Sequence, residues 1–121
     1  MGNPHAVRFV EDYNFDYRAE GRRVENFLEF FPNRTNVEFV RIHSPSRIEM
    51  RVWERGCGET LACGTGACAS AVSAIRNARI SGPLVDVELP GGTLQISWNR
   101  GEHVFMTGPA QTVCRGTVEL N

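Results

Sequence analysis

The sequence predicts an α+β domain in which a curved, barrel-like and mostly antiparallel sheet wraps around one central buried helix. Two observations carry that expectation. From Ala67 to Ile75 the chain is almost wholly Ala, Ser, Cys and Val, so a helix there is small on every side, has no polar face for water and must be surrounded. Elsewhere the chain offers about seven strand candidates, and a sheet curled around a slender helix is the simplest assembly that satisfies both patterns. With 121 residues, 41% of them hydrophobic, the chain is long enough for one domain with its own core.

The first strand candidate is Ala6 to Val10, an apolar run after the turn-prone Asn3-Pro4. Arg22 to Phe31 then predicts a short amphipathic helix: Val24, Phe27, Leu28 and Phe31 recur at spacings of three and four, and Pro32 would end it. Val37 to Ile42 and Ile48 to Trp53 show the two-residue alternation of half-buried strands, joined by a turn at Ser44-Pro45-Ser46. After the central segment, Leu84 to Leu89 and Leu94 to Trp98 flank the turn Pro90-Gly91-Gly92. His103 to Thr107 and Thr112 to Leu120, following Gly101 and Pro109, complete the strand candidates. No repeat, low-complexity stretch or linker breaks this order, so residues 1–121 read as one domain.

A net charge of −1 and the lack of Lys and Arg clusters interleaved with aromatics argue against nucleic acid and acidic membranes as partners. The longest uncharged run, Thr60 to Ile75, is too short and glycine-rich to span a bilayer. Met1 to Val10 lacks the apolar segment of a signal peptide. A soluble protein in the reducing cytoplasm is therefore expected, with its four cysteines as thiols rather than disulfides. Cys57, Cys63, Cys68 and Cys114 form no tight zinc knuckle with a histidine pair to complete it, so no metal is expected.

Cys63 stands immediately before Gly64-Thr65-Gly66, where the chain enters the apolar helix. The first turn of a helix carries unpaired N–H groups and a partial positive charge, a site for an anion such as a substrate carboxylate. The same field favours thiolate over thiol and would bring a thiol of pKa about 8.5 toward neutrality, where it can act as a base. The alternative is a small core residue, since free cysteine is among the most buried types. Cys68, further along the helix, reads as core packing, while Cys57 in a glycine-flanked loop and Cys114 in a strand show no chemical partner. His5 after Asn-Pro can simply cap a turn, and Glu54-Arg55 can be an ordinary surface pair.

The string Trp53-Glu-Arg-Gly-Cys-Gly-Glu-Thr-Leu-Ala-Cys-Gly-Thr-Gly-Ala-Cys-Ala69 resembles the diaminopimelate epimerase signature around that family's second catalytic cysteine. Met1-Gly-Asn-Pro-His5, Arg34-Thr-Asn-Val-Glu-Phe39, Leu89-Pro-Gly-Gly92 and Phe105-Met-Thr-Gly-Pro109 are similar to further family segments, in the same order. The resemblance implies inversion at an α-carbon of diaminopimelate, on the route to lysine and peptidoglycan, without pyridoxal phosphate, metal or any other cofactor. One thiolate removes the α-proton, and a second cysteine, as thiol, delivers a proton to the opposite face. It further implies that Cys63 is one of the pair and that the N–H groups of Gly64 and Thr65 hold the reacting carboxylate. Asn3, Asn36, Glu54 and Arg55 would line the substrate site, with Arg55 suited to a bidentate carboxylate contact. His5 and Glu54 would adjust the cysteine pKa values.

One departure qualifies the resemblance. The family enzyme has two similar halves, and its other cysteine lies in a Cys-Gly-Asn-Gly type motif of the N-terminal half that this chain lacks. Residues 1–121 therefore resemble the C-terminal domain alone, one half of a double-domain fold, as a domain, a fragment or the product of a split gene. Two partners follow as expectations: an N-terminal domain, or a second copy related by a twofold axis that brings two Cys63 thiols together. Proline racemase, the phenazine-biosynthesis isomerase and a histidine racemase of metallophore pathways share the plan, so another amino acid is the alternative substrate. A non-catalytic carboxylate-binding module of the same fold is the alternative from a different class.

Overall fold

The computed structural model describes residues 1–121. The elements are β1 (His5–Phe9), α1 (Tyr17–Glu25), β2 (Asn36–Ser44), β3 (Arg47–Glu54), β4 (Gly58–Glu59), α2 (Gly64–Arg76), β5 (Leu84–Leu89), β6 (Gly92–Ser97) and β7 (Phe105–Thr107). They form one seven-stranded sheet in the order β1-β2-β3-β5-β6-β7, with β4 paired to the far end of β3. β1 with β2 and β3 with β5 are parallel; the remaining pairs are antiparallel. The sheet curves around α2, which touches every strand except β4, as the small-residue segment requires.

Strand β3 alternates as its sequence predicts: Ile48, Met50 and Val52 are buried and join Ala67, Ala71 and Ala74 of α2 in the core. Strand β2 departs from simple alternation, being buried continuously from Asn36 to Arg41's predecessor Val40. A second layer causes this. Phe39 faces away from α2 and packs edge-on against Phe15, with ring centroids 5.6 Å apart, while Tyr17 of α1 lies 6.0 Å away. Gly21 allows α1 to lie directly on β3: a Cβ there would stand 2.5 Å from Trp53 Cβ, so a side chain at this position would drive the layers apart.

Two expected elements are corrected. The first helix runs from Tyr17 to Glu25 instead of Arg22 to Phe31. Asp16 starts it by accepting from the Ala19 N–H at 3.0 Å, and Asn26 ends it by bonding the Arg22 carbonyl through its side chain at 2.8 Å. Phe27 and Leu28, the residues whose spacing predicted a core-facing stripe, are exposed in the following turns. Thr112 to Leu120 forms no strand: residues 108–121 have no regular secondary structure, and Val113, Val118 and Leu120 are exposed. The expected strand at His103 shrinks to Phe105–Thr107. The seventh strand is instead the two-residue β4, which turns the chain from β3 toward Cys63. No helix is long and apolar enough to cross a membrane.

Candidate active site

Cys63 is the N-cap residue of α2, with the extended backbone angles φ −144° and ψ 104°. That conformation turns its side chain inward, and the residue is buried. Its Sγ lies 3.7 Å from Thr65 Oγ1, and the nearby Gly66 N–H favours the thiolate. Gly66 makes room for this packing: a Cβ there would lie 3.1 Å from Cys63 Sγ and 2.9 Å from Glu38 Oε1. Gly64 admits Met106 of β7 in the same way, its absent Cβ standing 3.1 Å from Met106 Sδ. The glycines of the motif thus let the thiol, a carboxyl group and β7 approach one helix terminus.

The electrostatics of the thiol differ from the sequence expectation. Burial pushes the Cys63 thiol up, and the Gly66 N–H and Thr65 hydroxyl only partly oppose it. Glu54 and Glu38 add to the upward push. The helix terminus therefore supplies donors to the sulfur without bringing it to neutrality, because desolvation of the thiolate outweighs them.

Asn3 and His5 join this group from the start of the chain. Asn3 Nδ2 donates to Thr65 Oγ1 at 3.3 Å, and His5 Nε2 meets Asn3 Oδ1 at 3.1 Å. The other ring nitrogen of His5, Nδ1, lies 2.6 Å from Glu38 Oε1. Asn36 acts as a clamp in this structure: its Nδ2 donates to the Pro4 carbonyl at 3.1 Å, and its Oδ1 accepts from the Arg55 N–H at 2.8 Å. It thereby ties the Asn3–His5 segment to the end of β3. Glu54 accepts from Thr60 Oγ1 at 2.5 Å, bracing the turn that leads to Cys63.

Arg55 bonds the Asn33 carbonyl at 3.2 Å through Nη1 and lines an open cleft of about 840 Å³ with Asn3, Thr65, Arg34, Phe30 and Phe31. The cleft combines a guanidinium, amide and hydroxyl groups and aromatic faces beside the helix terminus, a setting that can hold a zwitterionic, carboxylate-bearing molecule. All the predicted site residues, Asn3, His5, Asn36, Glu54, Arg55, Cys63, Gly64 and Thr65, fall in this one region.

Sequence reasoning missed Glu38. It is fully buried, and its Oε2 is a buried side-chain oxygen with no hydrogen-bond partner. Burial pushes its carboxyl up, against the opposing pull of His5. The signal was present: in β2, Glu38 shares a face with Val40 and Ile42, so strand parity alone places a carboxyl among core residues.

The seven-stranded curved sheet around a buried helix defines the fold class. The same architecture occurs in a phenazine biosynthesis protein of the PhzF family from Enterococcus faecalis, with a TM-score of 0.62 and 18% identity over 82% of this chain and 35% of that one. The family model for diaminopimelate epimerase matches residues 1–113, and the chain belongs to that family. Similar relatives include the diaminopimelate epimerase of Desulfitobacterium hafniense, 52% identical over 98% of this chain. That of Synechococcus elongatus strain PCC 7942 is likewise 52% identical, over 99% of it. The chain spans 41% and 42% of those two proteins.

Proposed function

We propose that this chain supplies one half of a diaminopimelate epimerase site, in which Cys63 exchanges the α-proton on one face of the substrate. The observation that carries the reading is the position of the Cys63 thiol: buried at the N-terminus of α2, hydrogen-bonded through Thr65, and beside the cleft that holds Asn3 and Arg55. In this reading the free N–H groups of Gly64 and Thr65 receive the substrate α-carboxylate and stabilise charge that develops on it as the α-proton leaves. Arg55 holds a second carboxylate. Cys63 as thiolate takes the proton, or as thiol returns one, while a second thiol serves the opposite face. No pyridoxal phosphate or metal takes part, and the setting is the cytoplasm.

The raised Cys63 thiol sets a requirement for this chemistry. Burial raises the thiol in the single chain, so in this reading it is donors brought to the sulfur, not further covering, that favour the thiolate. A covalently linked or separate N-terminal half, or a second copy, would cover Met106, Phe105 and Leu61, which are exposed near the helix terminus. The twofold dimer of this chain is tested by light scattering across a concentration series, where a persistent monomer excludes it.

The reaction is tested by incubating the chain with LL- or meso-diaminopimelate in deuterium oxide and following the α-hydrogen by NMR. Exchange that disappears in Cys63→Ala supports the assignment; exchange that persists in that variant refutes it. A second reading, a carboxylate-binding module without turnover, is favoured by the raised thiol. Saturable diaminopimelate binding with no α-deuteration, even after an N-terminal half is supplied, would establish it.

A further inference from the structure

Glu38 has no part in the proposed proton transfer, yet it is fully buried, with one carboxyl oxygen against His5 and the other without a partner. A buried carboxyl of this kind requires a compensating interaction. Its one contact opens a continuous chain: Glu38 Oε1 to His5 Nδ1 at 2.6 Å, His5 Nε2 to Asn3 Oδ1 at 3.1 Å, Asn3 Nδ2 to Thr65 Oγ1 at 3.3 Å, and Thr65 Oγ1 to Cys63 Sγ at 3.7 Å.

The direction of this chain follows from its chemistry. Asn3 presents its oxygen to His5 and its nitrogen to Thr65, so His5 Nε2 must carry a hydrogen and the Thr65 oxygen must accept. The Thr65 hydroxyl hydrogen is then free to point at Cys63. One proton lies between Glu38 and His5 Nδ1. On Glu38 it makes a neutral acid donating to a neutral imidazole; on His5 it makes a carboxylate and an imidazolium. In both arrangements Nε2 carries its hydrogen and the pair has no net charge. Without Glu38 a neutral His5 can hold its hydrogen on Nδ1 instead. Asn3 would then turn over, and the Thr65 hydroxyl would donate to Asn3 rather than to sulfur.

We infer that Glu38 is a positioning residue which, through His5, Asn3 and Thr65, points the last hydroxyl of a one-way hydrogen-bond chain at the Cys63 sulfur. The role rests on the reading of Cys63 as the proton-transfer group, because a donor aimed at sulfur favours thiolate. The charged groups that act on the thiol are Glu38 of β2 and Glu54 of β3, with His5 of β1 linked through Asn3 and Thr65. β7 meets this end of α2 through Met106, which does not titrate. A carboxylate at Glu38 taken alone pushes the thiol up, but with one proton shared between Glu38 and His5 the pair carries no net charge, so a neutral residue in place of Glu38 changes the direction of the chain without removing a net charge from the site.

The test reads ionisation of the thiol, not turnover. The rate of Cys63 alkylation by iodoacetamide is measured against pH, with mass spectrometry separating its peptide from those of Cys57, Cys68 and Cys114. Glu38→Leu should raise the Cys63 pKa by about half to one unit and slow alkylation at neutral pH about three- to tenfold. Glu38→Gln should restore it, since the amide N–H donates to Nδ1 and keeps Nε2 a donor. In a Thr65→Val background, Glu38→Leu should move the pKa no further. An equal shift with and without the Thr65 hydroxyl overturns the chain and leaves Glu38 a packing residue.

If Glu38→Leu does not fold, Asn3→Leu at the half-buried link reads the same coupling. Its effect should not add to that of Thr65→Val, and additive shifts overturn the proposal. The ¹⁵N shifts of the His5 ring report the tautomer directly: a bare Nε2 in the unsubstituted chain refutes the chain's direction. Loss of these couplings leaves the role of Cys63 in exchange intact, whereas exchange that persists in Cys63→Ala refutes that role and leaves the couplings intact.

Discussion

Strand β2 and the C-terminal stretch Thr112 to Leu120 look alike as sequence, each setting apolar residues among polar ones, and they end in opposite environments. From Asn36 to Val40 every residue is buried, with α2 on one face and the Phe15 and Tyr17 rings on the other. Residues 110–121 are exposed throughout. The difference shows that alternation states what a strand needs rather than what it gets. A strand forms where it is both paired and covered: β2 pairs with β1 and β3 and is packed on both faces, while the tail pairs with no strand and stays exposed.

The sharpest way to break the comparison is to remove the second layer of β2. Phe39→Ala takes a fully buried ring from between β2 and α1, and urea denaturation should show a loss of about 3–5 kcal/mol. A loss under about 1 kcal/mol would mean that α1 and its aromatic residues are only loosely docked.

Glu25 gives a smaller effect with a defined pH signature. Burial raises its carboxyl, but the Trp53 indole N–H, the Gly56 N–H and the nearby Arg34 and Arg22 outweigh that and hold it below the ordinary value of 4.5. A carboxyl depressed in the folded state contributes stability that is fully present above the unfolded value and is lost as pH falls through the folded value. Glu25→Gln should therefore cost about 1–2 kcal/mol at neutral pH and show less loss of stability on acidification below 4.5. Parallel acid titrations of both proteins would count against the Trp53 and Gly56 contacts.

The legible parts of the molecule were those in which local pattern and surroundings agree. The Ala67 to Ile75 segment forced a helix inside a curved sheet, and the sheet is there. β3 alternates because only one of its faces packs against α2. The first helix was misplaced because Val24, Phe27, Leu28 and Phe31 have helical spacing, while two side chains set the ends: Asp16 caps the start and Asn26 closes the last turn. Those short-range hydrogen bonds defeat a periodic stripe of which Phe27 and Leu28 stay exposed. The residues expected at the site lie near one another, but the bonds among them were not legible. Asn36 was expected to line a substrate site, yet its amide joins Pro4 to Arg55. The thiol was expected to shift downward, but burial, which the sequence offered only as the alternative reading of Cys63, pushes it up. Glu38 was overlooked because parity was applied to the apolar members of β2 and not to its charged one.

The smallest effect should come from the other side of the comparison. A chain ending at Pro109 lacks the exposed Val113, Val118 and Leu120 but keeps β7, and it also keeps Gly108, whose missing Cβ would crowd Leu94 at 2.5 Å. Surface residues away from packing and hydrogen-bond networks change stability by at most about 0.5 kcal/mol. The shortened chain should therefore unfold at the same urea concentration as residues 1–121, with the same steepness, since steepness tracks the surface exposed on unfolding. A shallower transition together with lower stability would show that the tail packs against the domain in solution. An unchanged transition would establish that the fold around Cys63 is complete without it, and that the apolar residues of the tail contribute nothing to the single chain.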